Sequence, residues 1–243
     1  MLGKIVLSAF FGLGLCYHAD SAYALSAENP PRNGIVIRNG RQLTLIEMVE
    51  ERLMTSRIVT YLAMKEYSIG NCTEAIRLLE NRQEILFPKA HLDTKASSKD
   101  DNFFALYILA QCHEMAGNTK QSSTTYGTIT SMPKAMRNDF QMNEIWRKSA
   151  VKYAQHLLET PGISGNSIDA YWLLSEIADG DKGDTTEKNA LYFLVGIYLN
   201  AAEDDMFNYG YASDAVKRME ATFPGDPLTT EARKKLDRFK NGD

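Results

Sequence analysis

The amino-acid sequence predicts an all-α fold in which four helical hairpins follow one another along the chain. In four segments a small residue ends a run of large apolar residues at helical spacing: Val59-x-x-Leu62-Ala63, Leu106-x-x-Leu109-Ala110, Trp146-x-x-Ser149-Ala150 and Tyr192-x-x-Val195-Gly196. Downstream of each segment a small residue stands four positions before a large one: Ala75 and Leu79, Ser122 and Tyr126, Ala170 and Leu174, Ala215 and Met219. Antiparallel helices approach closely where a small residue of one faces a bulky side chain of the other, so each pair of patterns predicts a hairpin.

Hairpins that recur along a chain stack into a solenoid, because each buries its apolar face against the next. The small residues of the first helices lie 47, 40 and 46 positions apart. The pattern resembles the tetratricopeptide repeat, which runs through Trp, Leu-Gly and Tyr and then Ala, Phe and a closing Pro over about 34 residues. The resemblance implies a right-handed α-solenoid of about four hairpins that binds other proteins. The additional residues are expected in loops.

Residues 1–24 are predicted to be a signal peptide. Lys4 precedes an apolar stretch from Ile5 to Leu15, and Ser21-Ala22-Tyr23-Ala24 supplies a small-x-small cleavage pattern. The apolar stretch is shorter than the roughly 20 residues of a membrane span. Lipidation at Cys16 is disfavoured because the preceding residue is not small. We therefore expect an exported protein, periplasmic or secreted, with no stable membrane span.

Residues 25–42 are predicted to be a flexible lead, and residues 43–240 the repeat domain. The turn dipeptide Asn39-Gly40 lies between short apolar runs, which makes a β-hairpin the alternative for this part of the lead. Against that alternative, a capping box at residues 44–47 favours a helix over residues 45–67.

The helices of the four hairpins are delimited by Gly-Asn turns and by prolines that stop them. After the first helix we expect helices at residues 73–85, 103–116, 120–131, 144–159 and 167–178, a fourth hairpin interrupted between Ala201 and Tyr211, and a capping helix over 227–236. The segment from Ala215 to Pro227 is similar to repeats of bacterial envelope tetratricopeptide proteins. That resemblance implies a Gram-negative periplasm.

Charge and residue content argue against several classes of partner. The net charge of −4 at pH 7 argues against nucleic acid and anionic membranes. His91, His113 and His156 are widely separated and lack ligands at metal spacing, so we expect no metal and no cofactor. Cys72 and Cys112 form either a disulfide or two buried thiols, which spacing alone does not decide.

One segment has the look of a calcium loop. Asp179-Gly-Asp-Lys-Gly-Asp184 places three carboxylates close together, but Ala190 stands where a bidentate glutamate would close the loop. The favoured interpretation is an acidic turn in which Asp184 caps the next helix and Glu187 completes the cap.

The sequence contains no Gly-rich phosphate loop and no nucleophile motif, so we expect no enzyme. A remote alternative is an exported, all-helical chorismate mutase-like enzyme. The residues Glu51-Arg52-Leu53, Lys65, Glu74 and Arg77 vaguely resemble the first helix and cationic site of that class. Converging cations would hold a dianionic substrate there.

The expected site is a groove that holds a protein or peptide of the cell envelope. In the tetratricopeptide family the first helix of each hairpin lines the concave face, and aromatic, Met and Arg side chains suit contact with a partner. The candidates beside the buried small residues are Arg57, Thr60, Met64, Tyr67, Phe104, Tyr107, Gln111, Glu114, Arg147, Val151, Phe193, Ile197 and Asn200. The alternative is a self-associating structural component of an envelope assembly, such as a secretion, pilus or division apparatus.

Overall fold

The computed structural model describes residues 36–38, 41–43, 56–80, 82, 99–160, 165–202 and 207–242. The chain divides into two units, residues 1–53 and residues 54–243. The predicted signal peptide lies outside the described residues, as does the capping box at 44–47.

The first unit contains a short antiparallel β-hairpin. Strands β1 (Val36–Arg38) and β2 (Arg41–Leu43) pair with Val36 opposite Leu43 and Arg38 opposite Arg41. This register leaves Asn39-Gly40 between the strands, as expected for a two-residue turn. The β-hairpin alternative therefore holds for these residues.

The described part of the second unit is all-helical, with neighbouring helices packed together. Its elements are α1 (Ser56–Ser68), α2 (Cys72–Leu79), α3 (Lys99–Met115), α4 (Thr119–Thr130), a 3-10 helix (Lys134–Asn138), α5 (Phe140–Glu159), α6 (Asn166–Ala178), α7 (Thr185–Ala202), α8 (Phe207–Thr222) and α9 (Pro227–Asn241). We call α1–α2, α3–α4, α5–α6 and α7–α8 the first to fourth hairpins, and α1, α3, α5 and α7 the first helices.

Local sequence signals set the ends of these helices. Asn71 caps α2 by accepting a hydrogen bond from the Glu74 amide at 3.4 Å. Asp226 caps α9 through the Leu228 amide at 2.9 Å, and Pro227 occupies the first turn. Both arrangements satisfy amide groups that a helix start otherwise leaves without partners.

Helix α5 begins four residues before the predicted start at residue 144. The Asp139 carboxylate accepts hydrogen bonds from the amides of Gln141 and Met142, at 2.9 and 3.1 Å. Asp139 is therefore the cap that the sequence analysis missed. The predicted second helix, residues 73–85, is described only in part, as α2.

The small residues of the pattern lie in the core, with one exception. Ala63, Ala110, Ala150, Ala75 and Ala170 have no exposed surface. The bulky partners in the second helices are buried as well: Leu79, Tyr126, Leu174 and Met219. Gly196 does not pack in this way, and its position is described with the site below.

The helices contact one another in a regular order. Within each hairpin the two helices pack together, and the second helix also packs against the first helix of the next hairpin. Successive first helices touch too: α1 contacts α3, α3 contacts α5, and α5 contacts α7. Helix α9 packs on α7 and α8.

Candidate functional site

Polar side chains bridge each successive pair of first helices. The Tyr67 hydroxyl of α1 donates a hydrogen bond to Gln111 of α3, and Gln111 donates to the Tyr107 hydroxyl at 2.8 Å. The Lys152 ammonium of α5 reaches Glu114 of α3 at 2.6 Å. Several predicted groove residues therefore hold neighbouring hairpins together.

The tyrosines of this bridge are protected from ionisation. Burial raises the pKa of Tyr67 to about 12 and also raises the pKa of Tyr107 above its ordinary value. Both hydroxyls remain protonated at neutral pH and can donate hydrogen bonds. The hydrogen bonds of Tyr67 and Tyr107 with Gln111 therefore hold α1 and α3 in place relative to each other.

Glu114 accepts hydrogen bonds from two other elements. Lys152 lies at 2.6 Å and the Tyr126 hydroxyl of α4 at 2.9 Å. Burial favours the neutral acid, but the hydrogen bonds from Lys152 and Tyr126 outweigh it and lower the pKa of the Glu114 carboxyl below its usual value. Glu114 is thus a charged link between the second and third hairpins.

Arg147 lies at the buried centre of the contact between the third and fourth hairpins. Its guanidinium contacts Glu144 at 3.0 Å and pairs with both carboxylate oxygens of Asp184, one of them at 3.0 Å. Only 3% of its side chain is exposed. Burial disfavours both charges, yet the mutual hydrogen bonds raise the pKa of Arg147 and lower that of Asp184.

Asp184 also confirms the capping interpretation of the acidic turn. Its carboxylate accepts a hydrogen bond from the Glu187 amide at 2.8 Å, and Glu187 accepts one from the Gly183 amide at 2.7 Å. The buried Glu187 carboxylate also pairs with Arg218. These carboxylates are engaged in the cap and in ion pairs within the protein.

The predicted groove residues fall into three groups: buried, outside the described part of the chain, and half-buried or exposed. Thr60, Arg147 and Val151 are buried, so their prediction as partner-facing residues is corrected. They fill the spaces between helices instead. The side chain of Arg57 lies outside the described part of the chain. Nine are half-buried or exposed: Met64, Tyr67, Phe104, Tyr107, Gln111, Glu114, Phe193, Ile197 and Asn200.

Three of those nine, Phe193, Ile197 and Asn200, line an open groove of about 770 Å³ around α7. We call it the aromatic groove, defined by Leu158, Ser167, Ile168, Tyr171, Trp172, Tyr192, Phe193, Gly196, Ile197, Tyr198, Asn200, Ala201, Asn208 and Lys235. The side chains come from α5, α6, α7, α8 and α9. A cavity of this size falls in the range of ligand-binding clefts.

Ring contacts hold the walls of the aromatic groove. Tyr171 packs edge-on against Trp172 at 5.2 Å and against Tyr198 at 6.1 Å, measured between ring centroids. Within α7, the ring of Tyr192 packs edge-on against that of Phe193 at 5.7 Å. Such edge-to-face contacts fix ring orientations and leave other ring surfaces free to bind.

The groove has little net charge. Lys235 is the single charged residue among these described lining residues, and its ammonium lies 4.2 Å from the centre of the Tyr192 ring. Lys235 also donates a hydrogen bond to the Tyr192 hydroxyl at 2.7 Å and faces Glu231 at 3.8 Å. Its charge is largely matched by these neighbours.

Gly196 opens the floor of the groove. The sequence pattern placed it as a close-packed small residue like Ala63, and that expectation is wrong. A Cβ built on Gly196 meets no heavy atom within 4 Å. The missing side chain therefore enlarges the aromatic groove and does not serve the contact between two helices.

The α6 wall of the groove was not predicted from the sequence, because only the first helices of the hairpins were expected to line the site. Ile168 and Trp172 stand one turn apart on α6, on a different face from the buried Ala170 and Leu174. They remain 62% and 65% exposed. The sequence contains a signal for this wall: two large apolar residues stand on a face of α6 that the packing of the hairpin does not use.

A second hollow of about 290 Å³ contains several cations, including Lys134, Arg137 and Lys182. Arg137 pairs with Glu176 at 2.9 Å, and Lys182 reaches Glu144 at 3.3 Å. Because the carboxylates offset the cations, this hollow offers an anion little net attraction.

Other residues named by the sequence analysis have ordinary structural surroundings. His113 is buried with Glu80 at 3.5 Å, and burial lowers its pKa. Arg77 lies 3.9 Å from Glu74 of the same helix. Lys65 is exposed on α1, whereas residues 51–53 lie outside the described part.

In the part of the chain that the structure describes, no three His, Cys, Asp or Glu side chains gather as a metal-binding group. No helix in this part of the chain has both the length and the apolar character needed to cross a membrane.

Comparison with known proteins finds no match to the chain among models of protein families, curated proteins or solved structures.

Proposed function

We propose that the chain is a helical-repeat adaptor of the bacterial periplasm, which binds a segment of another envelope protein in the aromatic groove. In this proposal the four hairpins form a right-handed, tetratricopeptide-like solenoid with α9 as its cap. The observation that carries the proposal is the groove itself: an aromatic cleft with an open floor at Gly196.

The order of helix contacts supports the solenoid. Each hairpin packs against the next through its second helix, and successive first helices touch as well. Repeated nearest-neighbour packing of this kind is characteristic of solenoid proteins. Polar contacts between successive first helices, such as the ion pair of Lys152 with Glu114, also hold neighbouring hairpins of the stack together.

The lining of the groove indicates the chemistry of the partner segment. Exposed aromatic and aliphatic surfaces, led by Trp172 and Ile168, suit apolar anchor side chains. Asn200, Asn208 and Ser167 offer amide and hydroxyl groups to a peptide backbone. Since the lining has little net charge, we propose an extended, uncharged segment with apolar side chains as the occupant.

Filling the groove tests the proposal. Gly196→Trp would place a large ring in the open space, while Gly210→Trp is the matched control because its Cβ also meets no heavy atom within 4 Å. Both variants are crosslinked in periplasm and purified, and the captured proteins are identified by mass spectrometry. We expect the wild-type chain and Gly210→Trp to capture the same envelope protein, and Gly196→Trp to lose it.

The captured protein then supplies the probe for a direct measurement. Its segment, synthesised as a peptide, should bind the purified wild-type chain and Gly210→Trp alike, and Gly196→Trp at least tenfold more weakly. Equal binding to all three chains would exclude the aromatic groove as the site.

Self-association is the second candidate, because Ile168 and Trp172 expose apolar surface that a second copy could cover. Sedimentation equilibrium over a wide concentration range separates the two proposals. A monomer at every concentration excludes self-association. A dimer that Gly196→Trp abolishes would favour it.

A further inference from the structure

A row of four aromatic rings crosses the helices at the aromatic groove. Trp172 and Tyr171 of α6 lie 5.2 Å apart, measured between ring centroids. Tyr171 lies 6.1 Å from Tyr198 of α7, which in turn lies 5.5 Å from Tyr211 of α8. We call these four residues the aromatic row. Its two end members are the most open, with 65% of Trp172 and 52% of Tyr211 exposed. An occupant that follows the row therefore lies across three helices.

This course favours an extended occupant over an α-helix. A helix laid along the row would cross α6, α7 and α8 steeply, and near-perpendicular helix crossings are the rarer class of packing. An extended chain is narrower and can pass from one helix to the next. It cannot join the walls as a β-strand, because the backbone N–H and C=O groups of an α-helix pair within the helix.

The groove offers few acceptors for the backbone N–H groups of an extended chain. The described lining contains no aspartate or glutamate, and its side-chain acceptors are hydroxyl groups and the amides of Asn200 and Asn208. An ordinary extended segment brings one N–H per residue, and each that is covered without an acceptor costs free energy. Proline has no N–H, so a proline-rich segment avoids this cost.

The aromatic rings suit proline in a second way. Aromatic faces carry partial negative charge, and the proline C–H groups beside the amide nitrogen carry partial positive charge, so the two attract each other. A polyproline II helix has no internal hydrogen bonds, which leaves its carbonyl groups free to accept. The Trp172 indole and the Asn200 amide supply N–H donors at the groove.

We propose that the occupant of the aromatic groove is a proline-rich segment in the polyproline II conformation, whose rings stack on the aromatic row. This inference rests on the function proposed above and names the class of segment that the groove binds. The conformation is largely preformed in such segments, so binding orders little additional chain. Recognition depends most on Trp172, which combines the most exposed ring of the row with an indole N–H.

Two capped, uncharged peptides of nine residues test the proposal by isothermal titration calorimetry with the purified full chain. One repeats Pro-Leu-Pro three times. The other repeats Thr-Leu-Thr, which keeps the leucines and restores an N–H at every former proline. We expect the proline peptide to bind at least roughly tenfold more tightly. Because the chain has two tryptophans and Trp146 is buried, binding should also change the fluorescence emission of Trp172.

Three variants separate the contributions to binding of the proline peptide. Trp172→Ala should weaken binding roughly tenfold or more. Trp172→Phe keeps a ring and removes the N–H donor, so we expect a loss of about 2- to 10-fold. Phe140→Ala is the control, because Phe140 is 73% exposed and does not line the groove, and it should bind like the wild-type chain.

Equal or tighter binding of the Thr-Leu-Thr peptide, no binding of the proline peptide, or binding that Trp172→Ala leaves unchanged would overturn the inference. A captured envelope segment that Gly196→Trp loses and that contains no proline would also overturn it, while the proposed function would stand. Binding of chitotetraose in place of the proline peptide would indicate a glycan site and overturn both. Failure of the proposed function alone would appear as capture that Gly196→Trp does not alter.

Discussion

The guanidinium of Arg147 is buried against the carboxylate of Asp184, which itself caps α7. One aspartate therefore holds the third hairpin to the fourth and starts the helix that forms the centre of the aromatic groove. Helix α7 contributes Tyr192, Phe193, Gly196 and Ile197 to the lining of that groove, so the ion pair anchors the start of a helix that the groove is built on.

Replacing Arg147 with methionine should destabilise the protein strongly. The variant removes the buried cation that Asp184 and Glu144 share and leaves Lys182, 3.3 Å from Glu144, as the remaining neighbouring cation. Removing one member of a buried pair leaves the other charge without its partner. Because the Asp184 side chain is 35% exposed, we expect a loss of about 2–4 kcal/mol in the free energy of unfolding, measured in urea. Lys217→Met is the control, since its pair with Asp214 is exposed and should contribute less than about 1 kcal/mol. Equal losses in the two variants would contradict this account.

The lowered pKa of Glu114 predicts acid sensitivity. A carboxyl whose pKa is lower in the folded than in the unfolded protein contributes stability above the unfolded pKa, near 4.5, and loses it as the pH falls through the folded value. The free energy of unfolding should therefore decrease below about pH 4.5, and less steeply in Glu114→Gln. Urea denaturation at several pH values between 7 and 3 measures both slopes. Identical slopes would show that Glu114 does not carry this dependence.

Two glycines within helices should respond oppositely to alanine. Gly196→Ala has open space and gains helix propensity, so we expect about 0.5–1 kcal/mol of added stability. In Gly127→Ala the new Cβ would lie 3.0 Å from ring atoms of Tyr153 in the next hairpin, so the gain should be cancelled or reversed. Thermal unfolding of both variants makes the comparison. A destabilised Gly196→Ala would mean that this position is packed after all.

Much of the helical architecture could be predicted because its signals are local. Small and large residues at helical spacing gave the hairpins, and Asp184 with Glu187 gave a cap that the structure confirms. The start of α5 was missed because Asp139 lies outside the apolar period that defined the helix.

The site was less predictable, because exposure depends on what neighbouring hairpins cover. Thr60 and Val151 lie on first helices yet are buried between them, and Gly196 follows the small-residue pattern yet faces open space. The α6 wall, with Trp172, approaches Phe193 of α7 only through packing between hairpins. Spacing within one helix carries no information about that juxtaposition.

The central claim is that the aromatic groove holds a partner segment, and site-specific photocrosslinking in cells tests it most directly. A photoreactive phenylalanine analogue replaces Trp172 at the groove or Phe140, which is 73% exposed and does not line it. We predict one discrete crosslinked envelope protein from position 172, none from position 140, and loss of the product when Gly196→Trp is added. The same products from both positions, or a product that persists with Gly196→Trp, would contradict the account.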